Sequence, residues 1–219
     1  MTVLLGDYAS GMNMVTQYVH SSRWSKALAT LRAPLGVHAI MGNHDWWEDR
    51  TAQKNGGMET FGHRAFADVG IPVYGNRAVR LEKDGRGFWL AGLEDQLALL
   101  PGRKWGRTRM LGLDDLDGTM AQVADDAPVI LLAHEPDIFP RVPERVSLTL
   151  SGHTHGGQIR FLGRSPDRPL ALRQSLRLWP HRRGRAQYHR VRRPRLLHRA
   201  GPLRRTAGNR RHRSRIRMS

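Results

Sequence analysis

The chain has 219 residues and no cysteine; that length suffices for one α/β domain with an appendage, and without thiols any metal must be held by His, Asp, Asn or Glu. The formal charge of +17 is confined to one end: residues 161–219 carry nineteen arginines, no lysine and a single acid, Asp167, whereas residues 1–160 hold 17 basic and 18 acidic side chains. No apolar run approaches the ~20 residues of a membrane span and no charged-then-apolar leader opens the chain, so as written it reads as cytoplasmic.

The first apolar run, TVLLGD (2–7), reads as a short strand ending in Gly-Asp, and residues 14–32 show helical spacing through Val15, Val19, Leu28 and Leu31. GVHAIM (36–41) is the next strand, and METFGHRAFADVG (58–70) is a helix stopped by glycine. Short β runs follow at IPVYG, AVRLE and FWLAGLED. Residues 114–124 look helical, PVILLAH (128–134) is a buried strand, and VSLTLSGHTH (146–155) alternates before a polar loop. The alternation predicts an α/β fold with no internal repeat.

Four of these strands end in polar side chains: Asp7, Asn43-His44-Asp45, His134, and His153-Thr154-His155. Each has an ordinary structural explanation, since Gly42-Asn43 can turn the chain, Asp7 or Asp45 can cap a helix, and His134 can be a satisfied core histidine. In α/β folds, however, ligands gather at the carboxyl ends of strands, so these groups are expected to converge. All are oxygen or imidazole donors, a set suited to Mn, Fe or Zn in a hydrolytic site.

The motifs GDY (6–8), GNHD (42–45), AHEPD (133–137) and SGHTHGGQI (151–159) resemble those of the calcineurin-like metallophosphoesterases, whose pattern runs D-x-H, G-D, G-N-H-D/E, H and G-H-x-H. GNHDWW and AHEPDIFPRVP resemble a bacterial subgroup that is often membrane-associated and thought to act on phosphodiesters or phospholipid-like substrates. The resemblance covers residues 1–160 and implies a two-sheet β-sandwich flanked by helices (αββα). It implies two divalent ions, with Asp7 bridging them, Asn43, His134 and His153 completing one and His155 belonging to the other. His44 would meet the leaving oxygen as general acid or charge stabiliser, with Asp45 orienting its ring. The chemistry implied is hydrolysis of phosphate mono- or diesters by activated water. Trp46 and Trp47 have two readings, an apolar wall for a lipid or aromatic leaving group, or packing beneath the loop.

Two departures from the family pattern shape the remaining expectations. TVLLGD corresponds to the family's second strand, so the D-x-H motif is not in this sequence; we expect Met1 to be an internal or misassigned start, with a first strand and a membrane anchor lost upstream and a sheet edge left open. The tail, residues 161–219, is expected to be no domain and to be disordered. Arginine without lysine is what GC-rich DNA gives when read out of frame. The Trp179 codon followed by the C of Pro180 forces a glycine in the shifted frame, where suitably chosen codons resemble the family's continuation. We therefore expect a frameshift between about Ile159 and Asp167. The alternatives to an enzyme are an inactive gene remnant and a basic-tailed protein binding nucleic acid or anionic lipid. The tail's lack of lysine and of interleaved aromatics speaks against nucleic acid.

Overall fold

Strand alternation builds this fold, because β1, β2, β4, β7 and β8 bury one set of side chains between two sheets and the other set under helices or turns. The computed structural model describes residues 1–9, 17–100, 103–104, 107–108, 110–154, 181–183 and 186–190. In chain order the elements are β1 (Thr2–Leu5), α1 (Ser21–Leu28), β2 (Val37–Ile40), α2 (Asn43–Trp47), α3 (Arg50–Lys54), α4 (Phe61–Ala67), β3 (Arg77–Lys83) and β4 (Arg86–Gly92). A two-residue hairpin, β5 (Arg103–Lys104) with β6 (Arg107–Thr108), leads to α5 (Leu116–Ala121), β7 (Val129–Leu132), a 3-10 turn over Pro136–Arg141, β8 (Val146–Ser151), β9 (His181–Arg183) and β10 (Ala186–Arg190).

β1 and β2 pair in parallel, and Val73 bridges to Ala39 on the far side of β2. The second sheet has the order β3-β4-β7-β8-β10-β9, with β4, β7, β8 and β10 parallel to one another. Between the sheets lie Ile40, Tyr74, Leu90 and Leu132, flanked by Val3, Leu5, Val79, Leu81, Ile130 and Leu150. The alternate residues face outward: Ala39 and Met41 pack with Phe66 of α4, whereas Ala91 and Leu131 pack with Leu116 of α5 and Ile138 of the 3-10 turn. These are the four layers, helix, sheet, sheet and helix, that the sequence led us to expect.

Several expected elements are shorter than their periodic runs. Of the helix expected over 14–32, the described part is α1, capped by His20, whose ring accepts from Ser22 N–H; residues 10–16 lie outside the described residues. Thr60 caps α4 by accepting from Gly62 and His63 N–H, and Gly70 at φ 72° turns the chain beyond it. IPVYG supplies one bridge and no strand. Of the arginine-rich segment, residues 181–183 and 186–190 are strand, the second aligned with β8. The rest of that segment, with the expected frameshift point and a loose tail, lies outside the described residues.

Register gives a direct test of the sandwich. Leu132 is fully buried between the sheets, whereas Leu81 on the outer strand is partly exposed. Leu132→Ala is expected to cost about 3 kcal/mol and Leu81→Ala roughly 1 kcal/mol, measured as the difference in urea-unfolding free energy.

Candidate metal centre

Three strand ends meet because two glycines let them. Gly6 has φ 88°, and a Cβ built on it would lie 2.5 Å from the Gly42 nitrogen and 2.6 Å from His134 Nδ1. A Cβ on Gly42 would lie 2.6 Å from His134 Cε1 and 2.7 Å from Asp7 Oδ1. The imidazole of His134 therefore occupies space that any larger residue at either position would need. Asp7 and His153 follow their strands at φ 62° and 58°, a left-handed conformation uncommon outside glycine and associated with functional sites.

The donor atoms converge on a small volume. His134 Nε2 lies 3.2 Å from Asp7 Oδ2, and His153 Nδ1 lies 3.0 Å from Asn43 Oδ1. One donor atom each from Asp7, His134 and His153 falls within 4.8 Å of the others. Metal bonds of about 2.0–2.2 Å set neighbouring donors about 3.0–3.5 Å apart, so both close pairs fit as edges of one coordination shell. His134 Nδ1 is against the Leu5 carbonyl, which fixes the ring and aims Nε2 inward. Burial pulls the His134 imidazole down, and the carboxylates of Asp7, Glu135 and Asp95 more than reverse it, to about 10.

Asp45 has a different task from the one its position in GNHD suggested. Its Oδ1 accepts from Tyr8 N–H at 2.8 Å and Ala9 N–H at 2.9 Å, and its Oδ2 from Asp7 N–H at 2.8 Å and Gly42 N–H at 2.9 Å. It does not orient His44, whose Nδ1 is buried without a hydrogen-bond partner. As the third residue of α2, Asp45 points back at the loop amides, and the ring of His44 lies instead against Trp47, centroids 5.2 Å apart. Burial pushes the Asp45 carboxyl up to about 6, against the pull of the Ala9 and Gly42 amides.

Comparisons with known proteins show the family. The family model described as Calcineurin-like phosphoesterase matches residues 1–157. The chain belongs to that family. Among its relatives are an uncharacterized metallophosphoesterase of Bacillus subtilis, YkuE, 35% identical over 147 residues that are 66% of this chain and 44% of the relative. An Aquifex aeolicus metallophosphoesterase is 30% identical over 74% of this chain and 52% of its own. A Danio rerio "transmembrane protein with metallophosphoesterase domain" is 29% identical over 62% and 29% respectively. The chain thus spans about half the length, or less, of these relatives. Among solved structures, Haemophilus influenzae NAD nucleotidase superposes with a TM-score of 0.46 at 14% identity, over 71% of this chain and 33% of that one.

Around this cluster the remaining residues sort as follows. Trp46 is 1% exposed and packs in the core with Ala52 and Phe66, so it is no wall for a substrate; α2 turns the two neighbours in different directions. Trp47 is partly exposed and donates from Nε1 to the Leu97 carbonyl at 2.7 Å. His155 lies outside the described residues. Two acids that the sequence reading passed over are at the site: Asp95, after β4, and Glu135, directly after His134, each place an oxygen within 4.8 Å of a His134 nitrogen and of each other. The run FWLAGLED ends in acids as the other strands end in polar groups, and that was the available signal. Burial and the Glu135 charge raise the Asp95 carboxyl well above its usual range. Among the described residues no helix is long and apolar enough to cross a membrane.

Because an amide can accept at only one of its two terminal atoms, Asp45→Asn would turn a donor towards N–H groups that now have an acceptor. A loss of about 2–4 kcal/mol in unfolding free energy is expected, with the metal-site signals most perturbed in an amide NMR spectrum at Asp7, Tyr8 and Ala9.

Proposed function

We propose that this chain carries the catalytic domain of a metal-dependent phosphoesterase acting on phosphate mono- or diesters. The observation that carries the reading is the convergence of Asp7, Asn43, His134 and His153 at the ends of β1, β2, β7 and β8. In this reading Asp7 Oδ2, Asn43 Oδ1, His134 Nε2 and His153 Nδ1 would hold one divalent ion, Mn, Fe or Zn, and Asp7 and His155 would serve a second. Bound there, such ions would neutralise phosphate charge and lower the pKa of water.

The protein's own groups then divide the rest of the work. The His44 backbone N–H donates to Asp7 Oδ1 at 3.2 Å, which ties the start of α2 to the bridging carboxylate. The His44 ring, partly exposed and propped by Trp47, would give a proton to the leaving oxygen. Asn43 is neutral, so it adds a donor without adding charge to a site that already holds Asp7. Trp47 is the remaining candidate for contact with an apolar leaving group. The relatives named as transmembrane proteins support a membrane-associated parent protein.

The test is hydrolysis of p-nitrophenyl phosphate and bis(p-nitrophenyl) phosphate with added Mn2+. His153→Ala is expected to lower turnover more than about 100-fold, since even outer-shell partners of a metal cost 10–100-fold, and chelation should abolish it. Turnover that survives both changes would remove His153 from the site. The ratio of the two substrate rates assigns monoester or diester preference.

A further inference from the structure

One cationic segment interrupts the otherwise acidic residues 1–160. Between Asp95 and Asp114 the chain holds Arg103, Lys104, Arg107 and Arg109 and no acid; without those four, residues 1–160 carry 13 basic and 18 acidic side chains. The β5–β6 hairpin stands in the middle of the segment, with Arg103 paired to Thr108 and Lys104 to Arg107. Both ends are tied beside the candidate metal centre. Gln96 Nε2 donates to the Glu135 carbonyl at 2.9 Å, and Leu113 N–H donates to the Asp95 carbonyl at 2.9 Å. Leu99 and Leu111 exchange both backbone hydrogen bonds at 2.9 Å, and Gln53 of α3 accepts from Leu100 N–H at 2.8 Å. Of the six large apolar side chains exposed among the described residues, three are at this root: Met58 is 80% exposed, Leu111 41% and Met110 36%. Met58 belongs there because it follows Gly57, where a Cβ would lie 2.5 Å from Leu113 Cδ1.

We propose that the β5–β6 hairpin, with Met58, Met110 and Leu111 at its base, docks on the surface of an anionic lipid bilayer. Docking of this kind does not require the phosphoesterase reading. Two attractions of different origin act at one place. Lipid phosphates attract cations, about fivefold in affinity for each Lys or Arg near the surface. Exposed apolar side chains gain only by leaving water, which the boundary between headgroups and acyl chains permits. A nucleic acid would meet the arginines through its phosphates and leave Met58 in water, and an apolar protein surface would strand the cations. The acidic remainder of residues 1–160 is repelled by the same bilayer, so this end of the body turns towards it. The bonds from Gln96 and Leu113 then set the ends of β4 and β7, with Asp95 and Glu135, beside the headgroups.

The nineteen arginines of residues 161–219 bring an attraction of their own to anionic vesicles, so the experiment reads the place of one side chain rather than binding of the whole chain. With no native cysteine, Met58→Cys in the full chain accepts the fluorophore NBD at that position, and its emission moves to the blue when it leaves water. Lys83→Cys is the reference, exposed at the end of the β3–β4 pair away from the ligand-bearing strand ends. Vesicles of mixed phosphatidylglycerol and phosphatidylcholine are expected to shift the label at 58 and not the label at 83. Phosphatidylcholine alone and duplex DNA should shift neither. Adding Lys104→Gln and Arg107→Gln to the labelled Met58→Cys chain is expected to lower the ratio of buried to water-exposed label at saturating mixed vesicles about 25-fold, fivefold for each cation. If the change at 58 unfolds the chain, Met110→Cys carries the label instead. A chain that sediments with the vesicles while its label stays in water overturns the proposal, as tethering by the arginine-rich residues alone. Equal shifts at 58 and 83, a shift with DNA, or a ratio unchanged by the two glutamines overturns it as well. No turnover is read, so failure of the metal reading and failure of this docking are separate results.

Discussion

Asp45 accepts four backbone N–H groups, from Asp7, Tyr8, Ala9 and Gly42, and through them it holds the loop after β1 against the start of α2. Everything else at the site is placed relative to that clamp. Asp7 sits at a left-handed φ, which costs of order 1–3 kcal/mol unless the surroundings impose it; here its own N–H is one of the four. Tyr8 completes the clamp from the other side. Its hydroxyl donates to the Ile40 carbonyl at 2.9 Å and its ring packs on Trp24 and Phe66. The loop carrying the carboxylate that would bridge metals is therefore fixed at both its backbone and its aromatic anchor.

The glycines impose a complementary constraint. His134 is buried with Nδ1 against the Leu5 carbonyl, and its ring fills the gap that Gly6 and Gly42 leave open. Hydrogen bonding sets the direction of the ring while steric contact sets its depth. Neither alone would hold Nε2 3.2 Å from Asp7 Oδ2. The two devices also explain why the site can be rigid although it draws on residues separated by more than a hundred positions in the chain.

Much of this was legible in the sequence, for physical reasons that differ by element. β4 and β7 bury both faces, so Trp89, Ala91, Leu131 and their neighbours form continuous apolar runs that read as strands. The polar residues closing β1, β2, β7 and β8 stood out because polar side chains resist burial at the end of an apolar strand. α2 and α3 did not, because they are five residues each and owe their existence to tertiary bonds. Asp49 accepts from Thr51, Ala52 and Phe61 N–H, and Gln53 bonds the Trp46 and Ala98 carbonyls. No periodicity can reveal such short helices. The same limit applied to Asp45 and Trp46: the sequence placed them beside His44, but which way each side chain turns depends on the helix that carries them.

The charges buried at this end of the sandwich conflict with its stability as a bare protein. Asp7, Asp95 and Glu135 surround a single imidazole, His134, and replacing such groups by apolar ones often stabilises a fold. Their grouping around one imidazole fits the metal-dependent chemistry of the family. A core selected for stability alone would place alternating Leu and Val at these strand ends, as β4 and β7 do along the rest of their length. The sandwich supplies the stability, through Ile40, Leu90 and Leu132 between its sheets, and the strand ends carry the strain. That division makes the centre of the sheets tolerant of electrostatic cost at their edge, where the ends of β1, β2, β7 and β8 bring Asp7, Asn43, His134 and His153 together.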